Sequence, residues 1–439
     1  MALKLPAPAF DLVHTRLDNG LRVLIAPDRS APVVGIAVLY DVGFRSEPQG
    51  RTGFAHLFEH LMFQGSVNLE KLAHFRYVES SGGTFNGSTH FDYTNYFEAL
   101  PSNALERGLY LEADRMRGPR ITEENLANQL DVVKNEIRVN VLNAPYGGFP
   151  WIHLPAVLFD TFANSHNGYG GFEDLESATT DDAKDFFRRY YAPGNAVLAI
   201  GGDVDPDEAL ALVEKHFAGI KRRAVPKRPA FGEPPLTAER RATHEDPHAP
   251  LPAVAVGYRV PDPVNAFDEL LASVLLTEVL TDGDASRLQR RLVQQDHLVT
   301  DVSAYIGEFG DPFDERDPTA LTLSAHYPDA GSLDKILRAV DEELDRIAVD
   351  GLERGELDRV RTRLVSASLR ELDAVMSRTL ELAKFELLHG RAELITELPG
   401  RLAEVGEDAV RAAAGALRPD RRAVLELIAG GAQSEGAQR

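Results

Sequence analysis

Two histidines four residues apart with a glutamate between them, His56-Leu57-Phe58-Glu59-His60, are the residues of this sequence best suited to chemistry. On a helix, positions i and i+4 lie on one face about one turn apart, so both imidazoles can reach a single ion. Zinc accepts such nitrogens at about 2.0–2.1 Å, and catalytic zinc takes three protein ligands and keeps one position for water. Glu59, three residues after His56, projects beside the same ion. A carboxylate there can take a proton from the metal's water and deliver it to the leaving amine, the usual division of labour in zinc hydrolysis. The alternative is a chance pattern whose histidines are ordinary core residues. The neighbours Phe54, Ala55, Leu57, Phe58, Leu61, Met62 and Phe63 argue against it. On so apolar a helix two histidines and a glutamate are costly to bury unless each is paired or bound, and a metal supplies that pairing.

The elements that must position these groups are legible as periodicities. Leu21 to Ala26 and Val33 to Val42 alternate as strands, with Asn19-Gly20 as a turn signal before the first. The motif lies in a helical segment, Thr52 to Gln64, apolar on most faces and therefore buried. Helical patterns recur at Asn68 to Ser80, Asn103 to Arg115, Glu123 to Leu142 and Asp181 to Tyr191. Between them Gly83 to Thr89 and Phe91 to Ala99 form an aromatic, Thr-rich strand pair, and Ala196 to Ile200 is a short apolar strand. The stretch KRRAVPKRPAFGEPP, from Lys221 to Pro235, has no period and reads as an interdomain linker. Beyond it the first half echoes. VAVGYRVP from Val254 repeats IAVLYDVG from Ile36, and PDRRAVLEL from Pro419 repeats PGNAVLAI from Pro193, so the simplest account is a duplication of about 200 residues. The expected domains are 1–222, carrying the motif, and 237–439, lacking it, joined by a linker at 223–236. Gly430 to Arg439, small and polar, are expected to be disordered.

Composition narrows the chemistry further. A chain of 439 residues exceeds one ordinary core. With no cysteine there are no disulfides, thiolate metal sites, iron–sulfur clusters or thiol nucleophiles, so a metal must sit on His, Asp or Glu. The net charge of −21 argues against nucleic acid, is compatible with a cationic ligand such as a basic peptide, and otherwise serves solubility. The first twenty residues lack a basic segment followed by an apolar one, and no run of about 18 apolar residues occurs, so a cytoplasmic protein without membrane contact is expected.

The wider context GFAHLFEHLMFQGS resembles the pitrilysin, insulysin and mitochondrial processing peptidase family, whose H-x-x-E-H motif is the inverse of HExxH. The stretches NQLDVVKNEIRVN, GGTFNGSTHFDYTNYF, LYLEADRM and YYAPGNAVLAIGGDVD match it as well. The resemblance implies an α+β fold of two homologous sandwich domains, each a mainly antiparallel sheet with helices packed on it, forming half of a clam-shell chamber. It implies a zinc endopeptidase with one Zn2+ per chain and with Glu136 as the third ligand, since that ligand follows the motif by about 75 residues in the family and 75 residues separate His60 from Glu136 here. Seven residues before it, Gln129 stands where the family carries an acidic or amide group near the metal. The segment Asn86-Gly87-Ser88-Thr89 resembles the edge strand on which a peptide substrate adds as a further strand.

One departure shapes the expected assembly. Family members and their non-metal partner subunits carry in the second half an Arg and, seven residues later, a Tyr that reach an active site, and aligned on Ser286-Arg287-Leu288 these positions hold Val293 and Thr300. Neither can hold substrate or donate to an oxyanion, and Arg290 and Arg291 face elsewhere on a helix. The expectation is therefore a heterologous partner subunit supplying Arg and Tyr, in preference to a homodimer. The competing reading is a non-catalytic scaffold subunit of a larger assembly, as in respiratory relatives that have lost part of the motif. His74, His90, His153, His166 and His297 lack ligand spacing, and Trp151 is expected to pack in a core.

Overall fold

The computed structural model describes residues 11–430, so the segment expected to be disordered falls, apart from Gly430, outside the described residues. Six strands form the first sheet: β1 (Val13–Arg16), β2 (Arg22–Pro27), β3 (Val33–Tyr40), β4 (Thr84–Thr89), β5 (Thr94–Pro101) and β6 (Ala196–Gly202). Five form the second: β7 (Arg240–Asp246), β8 (Ala253–Arg259), β9 (Asp301–Ile306), β10 (Ala320–His326) and β11 (Arg422–Ala429). Their orders are β1-β2-β6-β3-β5-β4 and β7-β11-β8-β10-β9. In both, the pair β2/β6 or β7/β11 is parallel and the rest is antiparallel. The second sheet thus repeats β2 to β6 strand for strand, and the two sequence echoes fall on β3/β8 and β6/β11. The added β1, a hairpin partner of β2, has no sequence echo and was not legible in the periodicity.

Five helices matter below: α1 (Phe54–Leu61), α2 (Glu123–Ile137), α3 (His153–Leu158), α4 (Phe267–Thr281) and α5 (Val375–His389). The first is shorter than the segment expected from periodicity, and α2 winds on through a wider turn over Arg138–Leu142. The helix expected from Asn68 begins at Ala73, because Leu72 stands in the left-handed region at φ 64° and stops the helix from extending towards Asn68. Among the described residues no helix is long and apolar enough to cross a membrane.

The two halves cover each other. From the second half, α5 packs on β3 and β6, while α3 of the first half packs on β8 and β11. Strands β3 and β6 are consequently buried on both faces and read as continuous apolar runs with no alternation. One apolar core runs from Leu24, Ala37 and Val197 of the first sheet to Val256, Leu275 and Phe385 of the second half. Another joins Leu154 and Leu158 of α3 to Ala253, Ala255 and Leu425. Each fully buried Leu contributes about 1.5–3 kcal/mol, so this exchange fixes the halves far better than the connecting segment could. That segment is itself tied down: Phe231 is buried and its carbonyl accepts from Asn164 Nδ2 at 2.8 Å, and Arg223 Nη2 donates to Tyr191 O at 2.6 Å.

The α5 contact is close enough to require small residues. A Cβ on Gly201 would meet Thr379 Oγ1 at 2.3 Å, with Thr379 Cβ at 3.5 Å the next atom. Gly201→Ala should therefore destabilise the chain by about 1–3 kcal/mol in denaturant unfolding, and Thr379→Ala in the same chain should restore most of the loss. Additive costs from the two changes would contradict this account of the interface.

Candidate metal centre

The N-terminus of α1 is held by one buried carboxylate. Glu47 accepts from Gly53 N at 2.9 Å and from Ala55 N at 2.7 Å, satisfying two N–H groups a helix start leaves open and placing negative charge at the positive end of its dipole. Burial raises the Glu47 pKa, and the neighbouring His166 imidazole, 3.2 Å away, works in the opposite direction. Gly53 itself stands at φ 81°, and a Cβ there would meet Tyr169 O at 2.5 Å, so the turn into α1 admits only glycine. The second supporting helix, α2, starts on Thr122, whose Oγ1 accepts from Asn125 N, and the Asn125 side chain bonds Gln64 O just beyond α1.

These two helices bring His56, His60 and Glu136 together. The facing Nε2 atoms of the histidines are 3.3 Å apart, and Glu136 Oε2 lies 3.5 Å from one and 3.6 Å from the other. A tetrahedral ion at about 2.0–2.1 Å from each ligand needs those atoms about 3.3–3.4 Å apart, so the triangle has the size that zinc requires. Gln129, two turns before Glu136 on the same helix, accepts at Oε1 from His60 Nδ1 at 3.3 Å. That bond keeps the proton on Nδ1 and turns the Nε2 lone pair towards the other two groups. His56 is pushed down to about 4, by burial first and by His60 second. Burial also works against the charged form of His60, but Glu136 and Glu59 outweigh it and leave its pKa raised. The donor set and its spacing fit a single divalent cation.

Glu59 points from the same helix towards the edge of the first sheet. Its Oε2 accepts from Thr89 Oγ1 at 2.5 Å, and burial holds its pKa above the usual carboxylate range. Asn86, Gly87, Ser88 and Thr89 all lie on β4, the free edge of the sheet, whose inner side alone is paired, with β5. Gly87, Ser88 and Thr89 line a cleft of about 390 Å³ together with His56 and Glu59.

Comparison with known proteins fits this geometry. The model of the insulinase family, peptidase family M16, matches residues 22–161, and that of the peptidase M16 inactive domain matches 177–364. Zinc protease PqqE of Helicobacter pylori is 30% identical over 361 residues, covering 79% of this chain and 76% of that protein. The chain belongs to peptidase family M16. An uncharacterized zinc protease of Mycobacterium leprae is 27% identical over 94% of this M16 chain and 91% of its own length, and bovine cytochrome b-c1 complex subunit 1 is 25% identical over 90% and 82%. Among solved structures, a protease from Helicobacter pylori superposes with a TM-score of 0.87 at 26% identity, covering 96% of this chain and all of that one. The periplasmic protease PqqL of Escherichia coli shares the fold with a TM-score of 0.77 at 20% identity, and the match takes up 48% of that longer protein.

Within the M16 chain, three features of the cleft were not legible in the sequence. Trp151, expected in a core, is only half-buried and lines the cleft, its ring 5.5 Å from that of Tyr169. It follows the turn at Gly147-Gly148 into α3, which covers the other sheet, so apolar character alone misplaced it. Tyr169 packs edge-on against His56 at 5.2 Å. Tyr305, Glu308 and Phe309 reach the cleft from the second half, from β9 and the turn after it. Val293 packs against the second half's core, and Thr300 donates to His326 O at 3.1 Å, so neither faces the cleft. Arg290 pairs with Glu353, and Arg291 pairs with Asp296 and Glu342.

A second group of candidate ligands, His74, Glu98 and Glu112, is fully buried. Its cation is already present, for Arg115 Nη2 lies 2.9 Å from His74 Nε2 and its guanidinium sits over the Phe63 and Tyr96 rings at 4.6 Å. A divalent ion there would face a buried guanidinium, so this is a structural cluster.

Because Glu47 satisfies two helix-terminal N–H groups out of reach of water, Glu47→Ala should lower stability by about 1–3 kcal/mol. It should also weaken metal retention, since His56 begins one turn later. Thermal unfolding and chelator competition measure the two effects, and a variant matching the parent in both would remove Glu47 from this role.

Proposed function

We propose that the chain is a zinc endopeptidase subunit in which His56, His60 and Glu136 hold one Zn2+ and Glu59 is the general base. The observation that carries this reading is the triangle of ligand atoms, 3.3 to 3.6 Å on each side, with the Glu59 carboxylate beside it in the same cleft. Zinc there would supply Lewis acidity, polarising the scissile carbonyl and acidifying the attacking water. The chain's own residues do the rest. Glu59 takes the proton of that water at a carboxylate oxygen and passes it to the leaving amine, a task its raised pKa suits. Thr89 orients the carboxylate, leaving its other oxygen free for the proton. Gln129 fixes the tautomer of His60, and β4 offers the open edge of its sheet to an extended peptide at Asn86 to Thr89.

The positions where the family carries the Arg and Tyr that hold substrate and donate to the oxyanion are Val293 and Thr300 here, and neither lines the cleft. We therefore assign the Arg and Tyr to a homologous partner subunit. The fold of PqqL, in which a match to this chain occupies about half of one protein, supports such a two-part chamber. A scaffold role is the second reading, motivated by the likeness to cytochrome b-c1 complex subunit 1. The complete set His56, Glu59, His60 and Glu136 favours the enzyme.

Glu59→Gln should keep one zinc per chain by elemental analysis while peptide hydrolysis falls by at least a hundredfold, the scale of a lost general base. Unchanged turnover would reject the base. Gln129→Ala should loosen zinc by about 10–100-fold in chelator competition with little change in unfolding. The purified chain should cleave peptides feebly until a partner carrying the Arg and Tyr is added, and full activity from the single chain would dismiss the partner.

A further inference from the structure

The hairpin that joins β4 to β5 and the segment between β9 and β10 meet at three side chains that the zinc mechanism does not use as a group. Ser88 Oγ, on β4, lies 2.9 Å from His90 Nε2. The other nitrogen of that ring, Nδ1, is closed off from water, and Asp314 Oδ2 approaches it at 3.1 Å from the second half. A hydroxyl, an imidazole and a carboxylate thus stand in series, linked through the two nitrogens of one ring. Serine hydrolases set nucleophile, base and orienting acid in this way, and such a set is recognised by geometry and roles, whatever its order in the chain.

The imidazole and the carboxylate are held from behind. His90 stacks on Tyr93 with ring centroids 4.3 Å apart and planes 11° from parallel, and the Phe309 ring stands edge-on to it at 5.5 Å. The Tyr93 hydroxyl donates to Asp314 Oδ1 at 2.9 Å, so one residue fixes both groups. Lys384 Nζ, on α5, lies 3.2 Å from the same oxygen. Burial opposes the charge on Asp314, but Lys384 and then His90 outweigh it and hold its pKa well below the usual carboxylate range. A charged carboxylate beside Nδ1 keeps a proton on that nitrogen and turns the Nε2 lone pair towards Ser88 Oγ. Asn95 Oδ1 also lies 2.9 Å from the hydroxyl, and it accepts from Ser88 N at 2.9 Å. The hydroxyl proton therefore has two acceptors at rest, and of these only the imidazole is basic enough to carry it away.

Ser88 lines the cleft of about 390 Å³, whose walls include the rings of Phe44, Trp151, Tyr169, Tyr305 and Phe309. Aromatic rings around one polar end suit an apolar group attached to a reactive carbonyl. We propose that Ser88 is a nucleophile activated by His90 and Asp314, which gives the cleft a second, metal-independent activity on carboxylic esters with an apolar acyl group. In the first step Ser88 Oγ bonds the carbonyl carbon and His90 Nε2 takes the hydroxyl proton. The ester C–O bond then breaks, and that proton leaves with the departing alcohol. In the second step water gives a proton to the same nitrogen and adds to the acyl-serine, the carboxylic acid departs, and the proton returns to Ser88. His56, Glu59, His60 and Glu136 take no part, so zinc is not required. The two halves divide the work here too, the first supplying nucleophile and base and the second the group that orients the base.

The test uses the full chain carrying Glu59→Gln, in the presence of EDTA, and a fluorescent fluorophosphonate. That reagent traps activated serines by forming a P–O bond to Oγ as the P–F bond breaks and fluoride leaves with the proton. Stoichiometric labelling is expected, and mass spectrometry of the digested protein should place the label on Ser88. Adding Ser88→Ala should remove it. Adding His90→Gln, whose amide can still hydrogen-bond Ser88, should slow it by about a hundredfold or more, the weight of a general base. With p-nitrophenyl butyrate as the ester, the same His90→Gln change should lower p-nitrophenol release by a similar factor. No label on Ser88, or an unchanged labelling rate in His90→Gln, overturns the proposal. If His90→Gln does not fold, the chain with Ser88 and His90 intact still decides: a label on Ser88 that is lost on unfolding in guanidinium supports activation by the fold, and equal labelling of the folded and unfolded chain overturns it. Labelling is read without zinc or peptide, so its failure leaves the peptidase reading untouched.

Discussion

Three lone-pair atoms held 3.3 to 3.6 Å apart repel one another unless a proton or a cation sits among them, and much of the first half serves to keep them there. Two of the atoms are adjacent turns of one short helix, which their spacing alone guarantees. The third belongs to a helix more than sixty residues later, and its approach is a property of the fold. Glu47 fixes where α1 begins, Asn125 ties α2 to the end of α1, and Gln129 fixes the ring of His60. Each of these groups is buried and hydrogen-bonded, so the repulsive arrangement persists because rearranging it would break several bonds at once.

The same topology, read in the second half, explains why the described residues there form no such site. In the first half the helix that follows β3 is α1, apolar on one side and carrying His56, Glu59 and His60 on the other. In the second, the helix that follows the equivalent strand β8 is α4, whose residues Leu270 to Thr277 are all buried. There the middle of the helix is buried on every side and has no face left for a cleft. The duplicated half instead supplies α5, which seals β3 and β6, and the turn at Glu308, which reaches the cleft.

How much of this the residues disclosed depends on distance along the chain. The paired histidines and Glu59 are a local pattern, and a local pattern is visible in sequence because helical geometry fixes its outcome. The strand at Gly83 to Thr89 and the repeat of β3 as β8 were legible as local patterns too, while the edge position of Asn86 to Thr89 was read from resemblance. Glu136 entered through resemblance, not through spacing on one element. Tyr169, Glu47 and Glu308 carry no periodic or compositional signal. Tyr169 packs on His56, 113 positions away, Glu47 bonds Gly53, 6 away, and Glu308 shares a cleft with Glu59, 249 away, and only Glu47 could have been suspected, as an acid shortly before a helix start. Trp151 shows the converse error, since an aromatic residue in an apolar context is core by default and a cleft wall only when the fold leaves a gap beside it.

The placement of Thr89 links binding to chemistry in a way that neither half of the site explains alone. Its hydroxyl holds Glu59, while its backbone belongs to the edge on which a peptide would lie. Ser88, one residue earlier, is fixed by Asn95 through both its amide and its hydroxyl, and it also touches His90, which the second half's Asp314 approaches at 3.1 Å. The edge strand is therefore stiffened from both halves at the point nearest the base. A strand edge that must accept many peptides gains nothing from side-chain selectivity, but it needs its backbone held still relative to the base, because a shift of about 1 Å is enough to lose most of the advantage of positioning. The contacts from Asn95, His90 and Asp314 supply that stillness, and they make the second half part of the site even though it holds none of the candidate ligands.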